Sequence, residues 1–315
     1  MRRGFLHLRL MGVVPAARRY VRVAVSLPLL RRRLIFVTGK GGVGKTTVAL
    51  ALGLAAARTG QRTIVADLQG EGDPQEREIA PGLSRISVDP QSAMEEYLLL
   101  KVNGAAGLAL RQSKLFSSFA MATPGMRELL CMGKLWELAQ LERRTRDAAP
   151  YGLVIVDAPA SGHGAAILRT PRTFAELARV GPIANQAQAI ARTIADPAFT
   201  SVVAVSTPEE MPVNETFELG DALAAAPDPH ELEAVILNRR HADRFTEIEV
   251  AALKHHGGDP GVRVALAEHA RATRELEQER RLRDAFGERL LILPDLFVPR
   301  LELAQLGLLA GDLAR

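Results

Sequence analysis

Two lysines five residues apart bracket a glycine cluster in GKGGVGKTT, Gly39 to Thr47. The stretch satisfies G-x-x-x-x-G-K-[ST], a spacing suited to phosphate. Glycines let backbone N–H groups point inward where side chains would block them, and a helix starting at the loop adds partial positive charge. Gly39, Lys40, Gly41, Gly42, Val43, Gly44, Lys45, Thr46 and Thr47 are therefore the candidate cradle. Lys45 would reach the β- and γ-phosphates of a nucleotide, and the Thr46 hydroxyl would ligate Mg²⁺. Phosphate binding needs only Lys45, so Lys40 requires its own explanation. Arginine outnumbers lysine 34 to 6, and two of those six lysines fall in this one loop.

Carboxylates complete the candidate chemistry. LVIVDAPASGHG supplies Asp157 after four apolar residues, where it would hold the Mg²⁺ shell through water. Gly162 beyond it can present a backbone N–H to the γ-phosphate, so that hydrolysis would release the segment. Asp67 ends the run RTIVAD and opens the glycine-rich LQGEGD. A carboxylate there can orient an attacking water, the alternative being a plain turn residue.

These residues need a rigid frame. RLIFVTG (33–39), RTIVAD (62–67), LVIVDAP (153–159), SVVAVSTP (201–208), LEAVILN (232–238) and LLILPD (290–295) are apolar on both faces, as strands buried on two sides must be. Alternating with helical patterns, they predict a parallel sheet with right-handed crossovers. RISVD is counted as an added edge strand, for about seven in all. The Ala/Leu-rich helix from Val43 to about Arg58 stops at Gly60. Between Asp89 and about Arg146 the pattern is helical only, which predicts a helical subdomain over about 90–150 inserted between two strands. ELEQERRLRDAF reads as a charged, solvated helix. The fold class expected is a three-layer α/β/α nucleotide-binding domain over 33–315.

Composition sets the outer limits. The chain has 315 residues, 47% of them hydrophobic, and a mean hydropathy of +0.04, as in a globular protein with a sizeable core. No run of roughly 18 apolar residues offers a membrane span. A single cysteine, Cys131, excludes a disulfide framework or a local thiolate cluster and fits a reducing cytoplasm. Residues 1–33 carry nine arginines and no acid, which leaves 31 basic against 36 acidic residues in the rest. The mildly acidic body argues against a specific nucleic-acid face. Residues 1–32 read as a basic extension, disordered or the product of a start placed too early, with a peripheral membrane-surface role as the alternative.

With Lys40 included, the loop takes the form K-G-G-x-G-K-T-T, which resembles the deviant Walker A of the SIMIBI class of P-loop ATPases. In that class the lysine matching Lys40 reaches the nucleotide of the opposite subunit, which implies ATP and Mg²⁺ as cofactors and a catalytic part for Lys40, Lys45 and Asp67. Within the class, VDAPASGHGAAILRTP is similar to the D-T-A-P-T-G-H signature of the ArsA and tail-anchored-protein-targeting branch. STPEEMPVNET resembles its P-E-x-x-x-x-x-E-T segment, from Pro208 and Glu209 to Glu215 and Thr216. The resemblance places Asn238 at the adenine and Pro294 in the nucleotide-pocket loop. It implies a homodimer, or a heterodimer with an ArsA-like paralogue, acting on a hydrophobic client or membrane protein.

Departures from the branch are equally specific. One cysteine supplies neither a metalloid site nor a paired zinc site, the D-P-A-H-N switch is replaced by DLQGEGDPQ, and the long Met-rich insertion is missing. Met94, Met121, Met126 and Met132 are read as core filling. Other functions to weigh are a MinD/ParA-like positioning ATPase and a regulatory subunit of a heterodimeric ATPase.

Overall fold

The computed structural model describes residues 29–68, 72–101, 122–144, 148–178, 182–255 and 259–313. Most of the basic extension, Met121 and most of the expected helical stretch LALRQSKLFSSFAMA lie outside the described residues. Leu29 and Leu30, counted with that extension in the sequence, are buried against the core.

Eight strands form one sheet in the order β3-β4-β2-β5-β1-β6-β7-β8. They are β1 (Leu34–Gly39), β2 (Thr63–Asp67), β3 (Arg77–Ala80), β4 (Leu83–Ser87), β5 (Leu153–Ala160), β6 (Thr200–Ser206), β7 (Leu232–Arg240) and β8 (Leu290–Pro294). All neighbours run parallel except β3 and β4. β1 lies between β5 and β6; its own connection leaves toward β2 and that of β6 toward β7, so a crevice opens between them at their carboxyl ends.

The sheet separates two apolar layers by alternation along each strand. Ile35 and Val37 of β1 join Val65, Leu153 and Ile155 under the helices Lys45–Arg58 and Leu303–Leu313. Leu34 and Phe36 face the other way, with Ile64, Val154 and Val156, onto the helices Met126–Leu138 and Pro182–Ala195. A third cluster packs β6 and β7 against the helices Glu210–Ala224 and Pro260–Phe286. This is the three-layer α/β/α frame expected from the alternating runs.

Three details differ from the expectation. RISVD contributes to β4, which is not the edge, because the short antiparallel β3 covers it. The sheet thus has eight strands instead of about seven. ELEQERRLRDAF belongs to the helix Pro260–Phe286, and that helix is not solvated all round. Its Glu275 and Glu279 are buried and bind Arg240 at the end of β7, at 3.3 and 3.0 Å. Glu275 also meets the buried His241 ring at 2.8 Å.

The helical segment after β4 holds the helices Pro90–Lys101 and Met126–Leu138. Met94 and Met132 are buried and Met126 is packed beside Leu98, so these three methionines fill core. Cys131 is buried too, its thiol pushed up to about 12, chiefly by burial. Below these helices a chain of charge pairs reaches the segment that follows Asp67. Arg143, its side chain 1% exposed, binds Glu76 at 2.5 Å and Glu137 at 2.7 Å, and Lys134 joins Glu137 to Glu96.

Candidate functional site

The phosphate-type loop runs directly from β1 into the helix Lys45–Arg58. Gly44 precedes that helix at φ 93°, a left-handed conformation that a side chain resists. Space is as restrictive as conformation there, since a methyl on Gly44 would collide with the Asn238 Nδ2. Asn238 is 4% exposed and its amide donates to the Val43 carbonyl at 2.9 Å, so β7 holds the loop from below. At the other end, the Gly39 backbone lies so close to the Val205 carbonyl of β6 that no Cβ fits.

Lys45 is buried, and its Nζ donates to the Lys40 carbonyl at 3.1 Å, folding back inside the loop. Burial lowers the Lys45 pKa from its ordinary value, an effect that Asp157 opposes. Lys40 points elsewhere. Its ammonium pairs with Glu215 of the helix Glu210–Ala224, and both side chains remain about 30% exposed (30 and 28%).

Asp157 is fully buried, and its Oδ2 accepts from the Thr46 hydroxyl at 2.5 Å. Its other oxygen, Oδ1, is buried without a hydrogen-bond partner. Burial raises the Asp157 carboxyl above its ordinary pKa, Thr46 counters that, and Asp67 adds to it. The pairing of β2 with β5 sets Asp67 level with Asp157. Two oxygen-donor side chains in contact, one with an unsatisfied buried lone pair, suit a hard divalent cation such as Mg²⁺. Asp67 itself, with 10% of its side chain exposed, is bound by Arg85 of β4 at 3.0 Å.

Gly162 falls in the first turn of the helix Ser161–Ala178, which follows β5 without an intervening loop. First-turn N–H groups have no intrahelical acceptor, so this end can receive an anion. Gly39 is registered against Ala160, which brings that helix start beside the glycine loop. Pro294 ends β8, paired with Arg240 of β7, and so lies on the same edge as Asn238. The two non-glycine residues of positive φ among those described, Arg239 and Phe297, lie at these same ends of β7 and β8.

Lys45, Thr46, Asp67, Asp157, Gly162, Asn238 and Pro294 thus share the carboxyl edge of one sheet. Sequence reasoning missed Glu215 as the partner of Lys40 and Arg85 as the partner of Asp67. Glu215 lay inside a quoted motif, while Arg85 had no signal beyond its place two residues before the end of a strand. A cleft of about 360 Å³ lined by Arg172, Gln188, Arg192 and Asp228 has none of the site residues among its described lining.

Comparison with known proteins bears on the family. The family model described as anion-transporting ATPase matches residues 32–186. ATPase BagA of Mycobacterium tuberculosis is 30% identical over 299 residues, covering 86% of each chain. ATPase GET3 of Chaetomium globosum is 27% identical, covering 49% of this chain and 47% of its own. ATPase ASNA1 homolog 1 of Paramecium tetraurelia is 28% identical, covering 44 and 43%. The glycine loop, its threonine–aspartate pair and an alignment spanning most of both chains lead to one conclusion: the chain belongs to the anion-transporting (ArsA) ATPase family and is an ATP hydrolase.

Proposed function

We propose that this ATPase works as a Mg²⁺-dependent dimer whose opening and closing follow the nucleotide. The observation that carries the reading is the division of labour between the two lysines. Lys45 is folded into its own loop, whereas Lys40 stands on the outer side of it, partly exposed and held by Glu215. A cation so placed is able to reach a nucleotide that approaches from a second chain, either another copy or an ArsA-like paralogue.

Within one chain, Gly39 to Thr47 cradle the phosphates and Lys45 neutralises the β- and γ-oxygens. Thr46 and Asp157 would hold Mg²⁺, which when bound offsets phosphate charge. Asp67 orients the attacking water, and a first-turn N–H such as that of Gly162 senses the γ-phosphate. Asn238 fixes the loop beneath the base, with Pro294 walling the pocket. Closure around ATP followed by loss of the γ-phosphate then drives a movement between chains. That movement would load or release a hydrophobic client or membrane partner through the helical subdomain about 90–150, in the cytoplasm. Support for the client class comes from the family alone; among the described residues no helix is long and apolar enough to cross a membrane.

The test is ATP-dependent dimerisation by light scattering together with steady-state hydrolysis, for wild type and Lys40→Ala. Lys40→Ala is expected to bind ATP but to lose both dimerisation and most turnover. A variant that dimerises and hydrolyses like wild type removes the second-chain role of Lys40.

A further inference from the structure

Asp67 has a partner across the sheet. Its carboxylate is gripped from the neighbouring strand, where Arg85 Nη2 donates to Oδ2 at 3.0 Å. The register explains why the two meet on the nucleotide face. β2 and β4 run parallel with Val65 level with Arg85, and β2 and β5 run parallel with Val65 level with Ile155 and Asp67 level with Asp157. Side chains at paired positions share a face, and positions two apart return to it. Arg85, Asp67 and Asp157 therefore all project to the side on which Val65 and Ile155 pack, the side of the helix Lys45–Arg58.

Two carboxylates level with each other on adjacent strands repel, and the repulsion is strong where water is scarce. Asp157 is fully buried and is answered by Thr46; Asp67 is nearly so and is answered by Arg85. The Arg85 side chain is 41% exposed, so it approaches the carboxylate from solvent instead of being locked in the core. It is also near enough to act on Asp157 electrostatically. Arg85 sits inside a strand paired on both sides, so its hold on the carboxylate comes from the sheet itself.

We propose that Arg85 is a positioning residue for ATP hydrolysis: by pinning Asp67 Oδ2 from strand β4, it keeps the carboxylate aimed for work on the attacking water. This rests on the reading of Asp67 given above. Arg85 does not bind the phosphates in this assignment, and its effect belongs to the chemical step.

The experiment measures steady-state ATP hydrolysis and binding of a fluorescent ATP analogue in the full chain, for Arg85→Ala, Arg85→Lys, Asp67→Asn and the Arg85→Ala/Asp67→Asn pair. Arg85→Ala is expected to lower kcat about 10-fold or more, with KM and analogue affinity within about threefold of wild type. Arg85→Lys, which keeps one donor and the charge, is expected to recover most of kcat. The double variant is expected to be no slower than Asp67→Asn alone, because both changes remove one function. Wild-type kcat in Arg85→Ala beside an inactive Asp67→Asn overturns this inference and spares the role of Asp67. Wild-type kcat in Asp67→Asn overturns the role of Asp67 itself. A rise in KM and loss of analogue binding in Arg85→Ala would make Arg85 a phosphate ligand, and a lysine variant as slow as the alanine one would make its role structural; either result overturns the proposal. Should Arg85→Ala fail to fold, the kcat and KM of Arg85→Lys and Arg85→Gln decide in its place.

Discussion

Replacing Gly44 with alanine tests the loop at its tightest point. The φ of 93° forces the new side chain into left-handed backbone, a cost of about 1–2 kcal/mol. The added methyl also runs into Asn238 Nδ2, which must leave the 2.9 Å hydrogen bond it makes to the Val43 carbonyl. Asn238 is 4% exposed, so an amide stranded there costs about 1–3 kcal/mol more. Gly44→Ala should therefore lower stability by about 2–5 kcal/mol, read from urea unfolding with an unchanged slope. Asn238→Ala separates the two contributions, since it makes room for the methyl but leaves the backbone strained. The double variant should be about 1–3 kcal/mol more stable than the sum of the single losses, the share that comes from the displaced amide. A Gly44→Ala protein within about 0.5 kcal/mol of wild type, or strictly additive losses, would refute the contact between β7 and the loop.

Three further outcomes follow from the charge pairs and the thiol. Arg143→Ala leaves Glu76 and Glu137 to share less positive charge in a buried setting and should cost about 3–5 kcal/mol in denaturant unfolding, with Arg143→Lys recovering only part of it. Burial pushes the Glu76 carboxyl up, yet hydrogen bonds from Arg143 and Tyr151 outweigh it and leave the group below its usual range. A carboxyl so depressed binds fewer protons folded than unfolded, so its contribution is present above roughly pH 4.5 and is lost as pH falls through the folded value. Acid titration of stability should accordingly be shallower in Glu76→Gln than in wild type. Cys131, buried and with its thiol pushed up to about 12, should resist an aromatic disulfide reagent in the native protein and react fully in denaturant; rapid native labelling would contradict its packing.

Legibility in the sequence followed burial. β1, β2, β5, β6, β7 and β8 were readable because strands covered on both faces are nearly unbroken apolar runs. β3 was not, because REIA is an edge strand exposed at three of its four positions, and backbone pairing leaves no trace in side-chain type. The late helix was misread for a related reason. Glu275 and Glu279 look like any solvated acids until the fold brings Arg240 and His241 beneath them, and local spacing cannot announce a partner about 35 residues away. At the site, Lys45, Thr46, Asp67 and Asp157 stood out because strand ends and glycine spacing fix where they must fall. Arg85 and Arg143 were hidden by composition, each one of 34 arginines.

The position of the helical segment in the chain bears on how relatives can diverge. It fills the crossover from β4 to β5, and these strands are separated in the sheet by β2. A connection must exist there whatever its content, and lengthening it costs only about 0.6 kcal/mol per doubling if it stays flexible. Residues can be gained or lost in that crossover without altering the register that sets Asp67 beside Asp157. A segment whose length can vary is thus spliced between β4 and β5 while the pairing of β2 with β5 stays in place, which is compatible with one hydrolytic edge in proteins of different lengths.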